Sequence, residues 1–321
     1  MGQIREIKDR ISSIDNTMKI TNAMYMISST KMNNARRALA ATEPYFYALQ
    51  DMFARVMRHL PEGFHHPYLD NREKRQQEGG LRRAIICVTA DKGLAGSYNH
   101  NIIKLTEELL ADHPNGMLFT VGEVGRQYFL QHHIEVDGEF HYTAQKPTLA
   151  RARSIAFEML DLFEEKKIDE VFIVFTSMKN SMETQCNMTQ LLPLIRLNAK
   201  PFNQEEAMTA MGIQEDFELE PNASELLYNI VPDYLNGYIY SALVEAFCSE
   251  HSARMQAMDS ANKNGQELLQ ELNIRYNRER QAQITQEITE VAAGAKARAQ
   301  QLAAAARRKK LKKGVMPDAN R

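Results

Sequence analysis

The sequence predicts a mixed α/β chain in which the N- and C-terminal helices form a long antiparallel coiled coil around a central α/β layer. Three observations predict it. No proline interrupts the region between Pro232 and Pro317, so one helix is free to run there; from Asp233 to Ala306 it would span roughly 110 Å at 1.5 Å per residue. At the other end of the chain Ile4, Ile7, Ile11, Ile14 and Met18 recur at spacings of three and four, as the a and d positions of a coiled coil do. Between these ends, short β-branched runs alternate with helical stretches.

The first helix is expected over 1–58, with its seam continuing through Thr21, Tyr25, Ser28, Met32, Ala35 and Leu39. Each buried aliphatic side chain contributes about 1.5 to 3 kcal/mol, so the strongest grip lies in the Ile4 to Met18 group. The helical pattern stops at Pro61, and a charged linker over 59–80 closes on Gly79-Gly80. From 81 to 221, the runs Ala84 to Thr89, Met117 to Val121 and Glu170 to Thr176 read as strands of a buried parallel sheet. Helices over Asn101 to Asp112 and Thr148 to Lys167 alternate with them, and this β, α, β order predicts a Rossmann-like domain. A second long helix is expected over 222–306. Its apolar residues Leu268, Leu272, Tyr276, Ile284, Ile288 and Val291 step mainly by four, which predicts a short and irregular coil. Two such helices at opposite ends of a chain pair most simply antiparallel, leaving the same side of the middle domain as a shaft leaves its foot. A basic tail, 307–321, follows.

At 321 residues and 44% apolar content the chain is long enough for a sizeable core. Its 39 basic and 41 acidic residues nearly balance, so the overall charge gives no argument for nucleic acid. Cys87, Cys186 and Cys248 are few, odd in number and without CxxC spacing, which suits a reducing compartment and offers no zinc site. No run approaches the roughly 18 to 20 apolar residues of a transmembrane span. Met1 leads straight into helix sequence, Glu6 and Asp9 speak against a transit peptide, and Glu6 breaks the myristoylation pattern. A bacterial cytoplasmic setting is the expectation.

Asp91-Lys-Gly-Leu-Ala-Gly96 follows the first strand and precedes a helix, the place where dinucleotide folds hold a phosphate. It lacks both GxGxxG and the P-loop pattern, so Gly93 and Gly96 read as tight turns at a strand end. The pairs His65-His66 and His132-His133 are adjacent in sequence and do not converge on a metal. No serine or cysteine is placed with a base and an orienting acid as a nucleophile requires. The chain is expected to have no catalytic residues, no metal and no cofactor.

Three separated blocks carry a family resemblance. They are Ile14-Asp-Asn-Thr-Met-Lys-Ile-Thr-Asn-Ala-Met24 with Met26 and Lys31; Asp91 to Gly96 with Asn99 and Asn101; and Ser249 to Asn264 together with Arg280 to Glu290. Over residues 1 to 295 the chain resembles the gamma subunit of F-type ATP synthase. The resemblance implies a coiled-coil shaft, a Rossmann-like domain that binds no nucleotide, and a non-catalytic rotor that couples c-ring rotation to ATP synthesis or hydrolysis at the beta subunits. It implies as partners the alpha and beta subunits of the hexameric ring, the epsilon subunit and the c-ring. Nucleic acid is not among them, and the chain would meet the cytoplasmic face of the bacterial inner membrane only through the complex. By motif match, Met24 should lie near the beta lever region, while Arg254, Arg280, Gln281, Thr285 and Glu287 should face the catch region of the ring.

The sequence departs from the family's pattern at Ala95, where many members have cysteine, and no close cysteine pair suggests redox control. It departs further after Gly294, near which members usually end, by continuing through Ala303 to Ala306 into Arg307, Arg308, Lys309, Lys310, Lys312 and Lys313. Two rival readings remain: a nucleotide-binding α/β enzyme with helical arms, which needs a phosphate loop, and a nucleic-acid-binding protein acting through the basic tail.

Overall fold

The computed structural model describes residues 2–61, 63–70, 72, 75, 80–113, 115–180, 183–194, 219–220 and 222–313, without the side chains of residues 2, 3 and 307–313. The expected tail therefore lies outside the described side chains, as does much of the expected linker. The elements in chain order are α1 (Gly2–His59), β1 (Arg83–Val88), α2 (Tyr98–Asp112), β2 (Gly116–Val121), α3 (Glu123–Gln131), β3 (Val136–Tyr142), α4 (Leu149–Glu164), β4 (Glu170–Met178), β5 (Thr184–Leu192) and α5 (Ala223–Lys313). The chain divides into two compact units, one of 1–21 with 260–321 and the other of 22–259.

In the first unit the start of α1 packs antiparallel on α5. A Cβ placed on Gly265 would lie 2.8 Å from Met18 Cγ and 3.9 Å from Ile14 Cγ2, and the Thr21 hydroxyl donates to Asn262 Oδ1. The seam expected on α1 is present: Ile7 is buried, and Ile4, Ile11, Ile14, Met18 and Thr21 are half-buried. On α5 the seam differs from the expected one. The covered positions are Asn262, Gly265, Leu269, Leu272, Tyr276, Glu279 and Gln283, a regular alternation of three and four. Leu268, Ile284, Ile288 and Val291 fall off that line and are exposed. The seam escapes an apolar count because it runs through a glycine, which admits Met18 against the helix backbone, and through polar residues that need only line the edge of the contact.

In the second unit a five-stranded sheet has the order β3-β2-β1-β4-β5, parallel from β3 through β4, with β5 antiparallel to β4. Strand alternation sends Ala84, Ile86 and Val88 to one face, where α4 and the nearer parts of α1 and α5 cover them. It sends Ile85 and Cys87 to the other, against Ile102 and Ile103 of α2 and Phe129 of α3. The three expected strands and the two expected helices are all present. Strands β3 and β5 and helix α3 were not expected from sequence: β3 buries Val136 and Phe140 but carries Asp137, Gly138, Glu139 and His141, and β5 is a polar edge strand buried only at Leu191 and Leu192. Helix α5 starts at Ala223 and carries a proline in its interior. Pro232 sits inside its first turns, where burial of Val231 and Leu235 and the stacking of Tyr234 on Phe53 hold the segment helical. Gly237 receives the Phe46 ring so closely that a Cβ there would lie 2.3 Å from Cδ1.

The Asp169 carboxylate, fully buried before β4, is the electrostatic knot of this unit. It accepts hydrogen bonds from the guanidinium of Arg72, from Arg75 Nη1 at 2.6 Å, and from the Arg82 backbone N–H and Nε at 2.9 and 3.1 Å. Burial alone would raise its pKa; the hydrogen bonds from Arg82, Arg72 and Arg75 outweigh burial and hold the carboxyl well below the usual range. A depressed carboxylate contributes stability above its unfolded pKa of about 3.9 and loses it as pH falls from there towards the folded value. Asp169→Asn should therefore cost on the order of 3 kcal/mol at neutral pH and flatten the fall in melting temperature below about pH 4; thermal unfolding across pH 2 to 7 tests both.

Candidate functional site

In an open α/β sheet the ligand crevice lies at the carboxyl ends of the strands where the strand order reverses. Here that point is between β1 and β4. The loop from Thr89 to Ser97 leaves β1 at this edge and turns through left-handed Leu94 (φ 62°) and Gly96 (φ 56°), so Gly96 serves the expected tight turn while the second left-handed position is Leu94 and not Gly93. Gly122, at the end of β2, has φ 98°, and a Cβ there would lie 2.3 Å from the Thr89 carbonyl oxygen.

Side chains of the protein itself fill the edge. The Asp91 carboxylate accepts from the backbone N–H of Glu123 at 3.2 Å, from those of Ala144 and Gln145 at 3.2 and 3.1 Å, and from the Thr143 hydroxyl. It thus satisfies the first turn of α3, the kind of free amide that elsewhere binds phosphate. Ala253 of α5 packs on Ala90, Ala95 and Tyr98, and the Tyr98 hydroxyl donates to the Ala246 carbonyl at 3.2 Å.

Arg254 completes the contact. Its side chain is 8% exposed; Nη2 donates to the carbonyl oxygens of Lys92 and Gly93 at 3.0 and 3.1 Å, and Nη1 pairs with Glu250 Oε1 at 2.7 Å. Burial, then the charges of Arg254 and Lys31, push the His251 pKa down to about 3, so the ring is neutral and its Nδ1 faces Arg254 Nη1 at 3.2 Å. Burial raises the Glu250 pKa while Arg254 opposes the rise. Beside this group lies a cleft of about 290 Å³ whose lining includes Met24, Ile27, Lys31, Leu94 and Arg254. The structure therefore brings Met24 and Arg254 together, with Arg254 turned inward to the loop. Asp91, Lys92, Glu250 and His251 were missed as site residues by sequence reasoning. Glu250 and Arg254, four apart among the small residues Ala246, Cys248, Ser249, Ser252 and Ala253, were the signal for a buried helical ion pair.

Arg280, Gln281, Thr285 and Glu287 belong to the other unit and are all exposed. Thr285 donates to the Gln281 carbonyl at 2.9 Å, and Glu287 accepts from Gln283 at 2.8 Å, both within the helix. Carried outward, the register of Met18 on Gly265 and Thr21 on Asn262 puts the start of α1 level with Gln281. Beyond it α5 runs on without an α1 partner to Lys313, roughly 48 Å of helix, with Ile284, Ile288 and Val291 exposed by 47%, 64% and 73%. Among the described residues no helix is long and apolar enough to cross a membrane.

A family model described as ATP synthase matches residues 3–297, ending inside α5. The ATP synthase gamma chain of Ruminiclostridium cellulolyticum is 41% identical over 297 residues, covering 92% of this chain and 99% of that one. The sodium ion specific ATP synthase gamma chain of Acetobacterium woodii is 34% identical over 303 residues, covering 92% and 98%. Among solved structures, a chain of the Euglena gracilis mitochondrial ATP synthase, from the OSCP/F1/c-ring in rotational state 3, superposes with a TM-score of 0.61 at 17% identity, covering 92% of this chain and 94% of that one. At that identity the likeness is one of fold. Because α5 occupies the crevice, titration of the isolated chain with ATP in the micromolar range should give no saturable binding by calorimetry; a one-to-one isotherm would show the crevice to be open.

Proposed function

This chain belongs to the ATP synthase gamma chain family, and from that premise we propose how its residues serve the family's work. It is the non-catalytic central-stalk subunit of an F-type ATP synthase and couples rotation to catalysis. Its partners in this reading are the alpha and beta subunits of the hexameric ring, the c-ring and the epsilon subunit. It sits at the cytoplasmic face of the bacterial inner membrane, held there by the complex. The working divisions are the shaft helices 1–58 and 222–306, the linker 59–80, the α/β domain 81–221 and the tail 307–321.

One observation carries the reading: α5 outruns its partner helix and exposes apolar residues over that length. A lone helix of this kind is marginal in water, and burying Ile284, Ile288 and Val291 would contribute about 1.5 to 3 kcal/mol each. A surrounding sleeve of beta and alpha subunits supplies that cover. Arg280, Gln281, Thr285 and Glu287, exposed around and beyond the level of the α1 N-terminus, are the polar contacts to the beta subunits. Met24 is a second contact, on the rim of the cleft, and Arg254 contributes by fixing the loop that forms the opposite rim. A rotor with no catalytic group acts through differential contact: as its angle changes, it favours a different conformation in each beta subunit. Such contact governs both catalysis and the ion flow that drives it.

The double substitution Gln281→Ala with Thr285→Ala tests the contact. Both side chains are exposed, so the stability of the isolated chain should change by no more than about 0.5 kcal/mol. In the assembled complex, ATP-driven ion pumping should fall several-fold relative to hydrolysis. Unchanged pumping, or a loss of chain stability that matches the loss of pumping, would remove these residues from the interface.

A further inference from the structure

The crevice at the carboxyl edge of the sheet, where α/β folds hold a ligand, is occupied by a segment of α5. This occupation has a direction to it. Ala253 against Ala90, Ala95 and Tyr98 is apolar packing, which opposes separation but discriminates little between rotational positions of a helix. The Arg254 guanidinium differs: planar and with fixed donor directions, it spans Glu250 on its own helix and the carbonyls of Lys92 and Gly93 on the loop. The neighbouring Asp91 ties the same loop to the first amide of α3 and to residues 143–145 ahead of α4. The Asn99 side chain closes it from α2 by accepting from the Ala90 N–H at 2.9 Å.

We propose that this edge is a torque joint, in which Arg254 is the positioning residue that locks α5 against turning relative to the sheet and Asp91 spreads the load to the loops after β2 and β3. The proposal rests on the rotor reading above and adds to it the place where turning force passes between the α/β domain and the helix. Without the guanidinium the apolar part of the contact persists, so the helix stays docked but yields under load.

The test uses the assembled membrane complex carrying Arg254→Gln, Arg254→Lys or Asp91→Asn, with each preparation measured for assembly, for hydrolysis without an ion gradient, and for ions pumped per ATP against an opposing gradient. Hydrolysis without load, measured on the same preparation, is the reference for each variant. Pumping per ATP under load should fall about two- to tenfold for Arg254→Gln and for Asp91→Asn, with Arg254→Lys between Gln and wild type. Pumping per ATP unchanged under load in Arg254→Gln overturns the joint. So does an equal loss of assembly and unloaded hydrolysis in all three variants, which marks the residues as purely structural. Failure of the wild-type chain itself to couple hydrolysis to pumping overturns instead the rotor reading on which the joint rests.

Discussion

A helix of 91 residues in water has to be supported along its length, and the rest of this molecule follows from how the chain supplies that support. The first twenty residues of α1 cover α5 from Asn262 to about Gln281. The second half of α1 and the sheet cover it from Leu227 to Cys248, where ten and more of its apolar residues are buried. The remainder, from Ile284 to Ala306, is exposed throughout. That division assigns work to each stretch: the covered parts fix the helix, and the uncovered part is the surface offered to other subunits.

The α/β domain has been adapted to the same end. Its topology has a switch point at the carboxyl edge, and the loops there present a tight turn at Leu94 and Gly96 and the amides of Glu123, Ala144 and Gln145. The charge that satisfies those amides is Asp91, and the group seated in the crevice is α5. A fold that ordinarily grips a nucleotide here grips a helix, through the carbonyl oxygens of Lys92 and Gly93, while the backbone donors at this edge are taken by Asp91. Buried Glu250 and Arg254 fit this use, since a paired charge inside a contact specifies one geometry more sharply than apolar packing does.

The parts legible in the sequence were those that repeat a simple period over many residues. The α1 seam from Ile4 to Leu39 could be read because its apolar residues fall at a regular spacing, and β1, β2 and β4 because a central strand buried on both faces is apolar throughout. Edge strands β3 and β5 are wetted on one side and lose that signature. On α5 the seam passed through Gly265 and Asn262, which no apolar count includes, while Ile288 and Val291, which it does include, await another surface. The inward turn of Arg254 depended on a tertiary fact, the nearness of the Lys92 and Gly93 carbonyls, that sequence spacing does not encode.

The central claim is that the distal part of α5 is a free surface in the chain and a covered one in the complex. Amide hydrogen exchange, read by mass spectrometry on the isolated chain and on its assembly with alpha and beta subunits, measures this directly. In the isolated chain the amides of residues 265–281 should exchange slowly and those of 284–297 rapidly; on assembly, the second group should become protected. Equal protection of the two stretches in the isolated chain, or rapid exchange of 284–297 in the complex, would contradict the account.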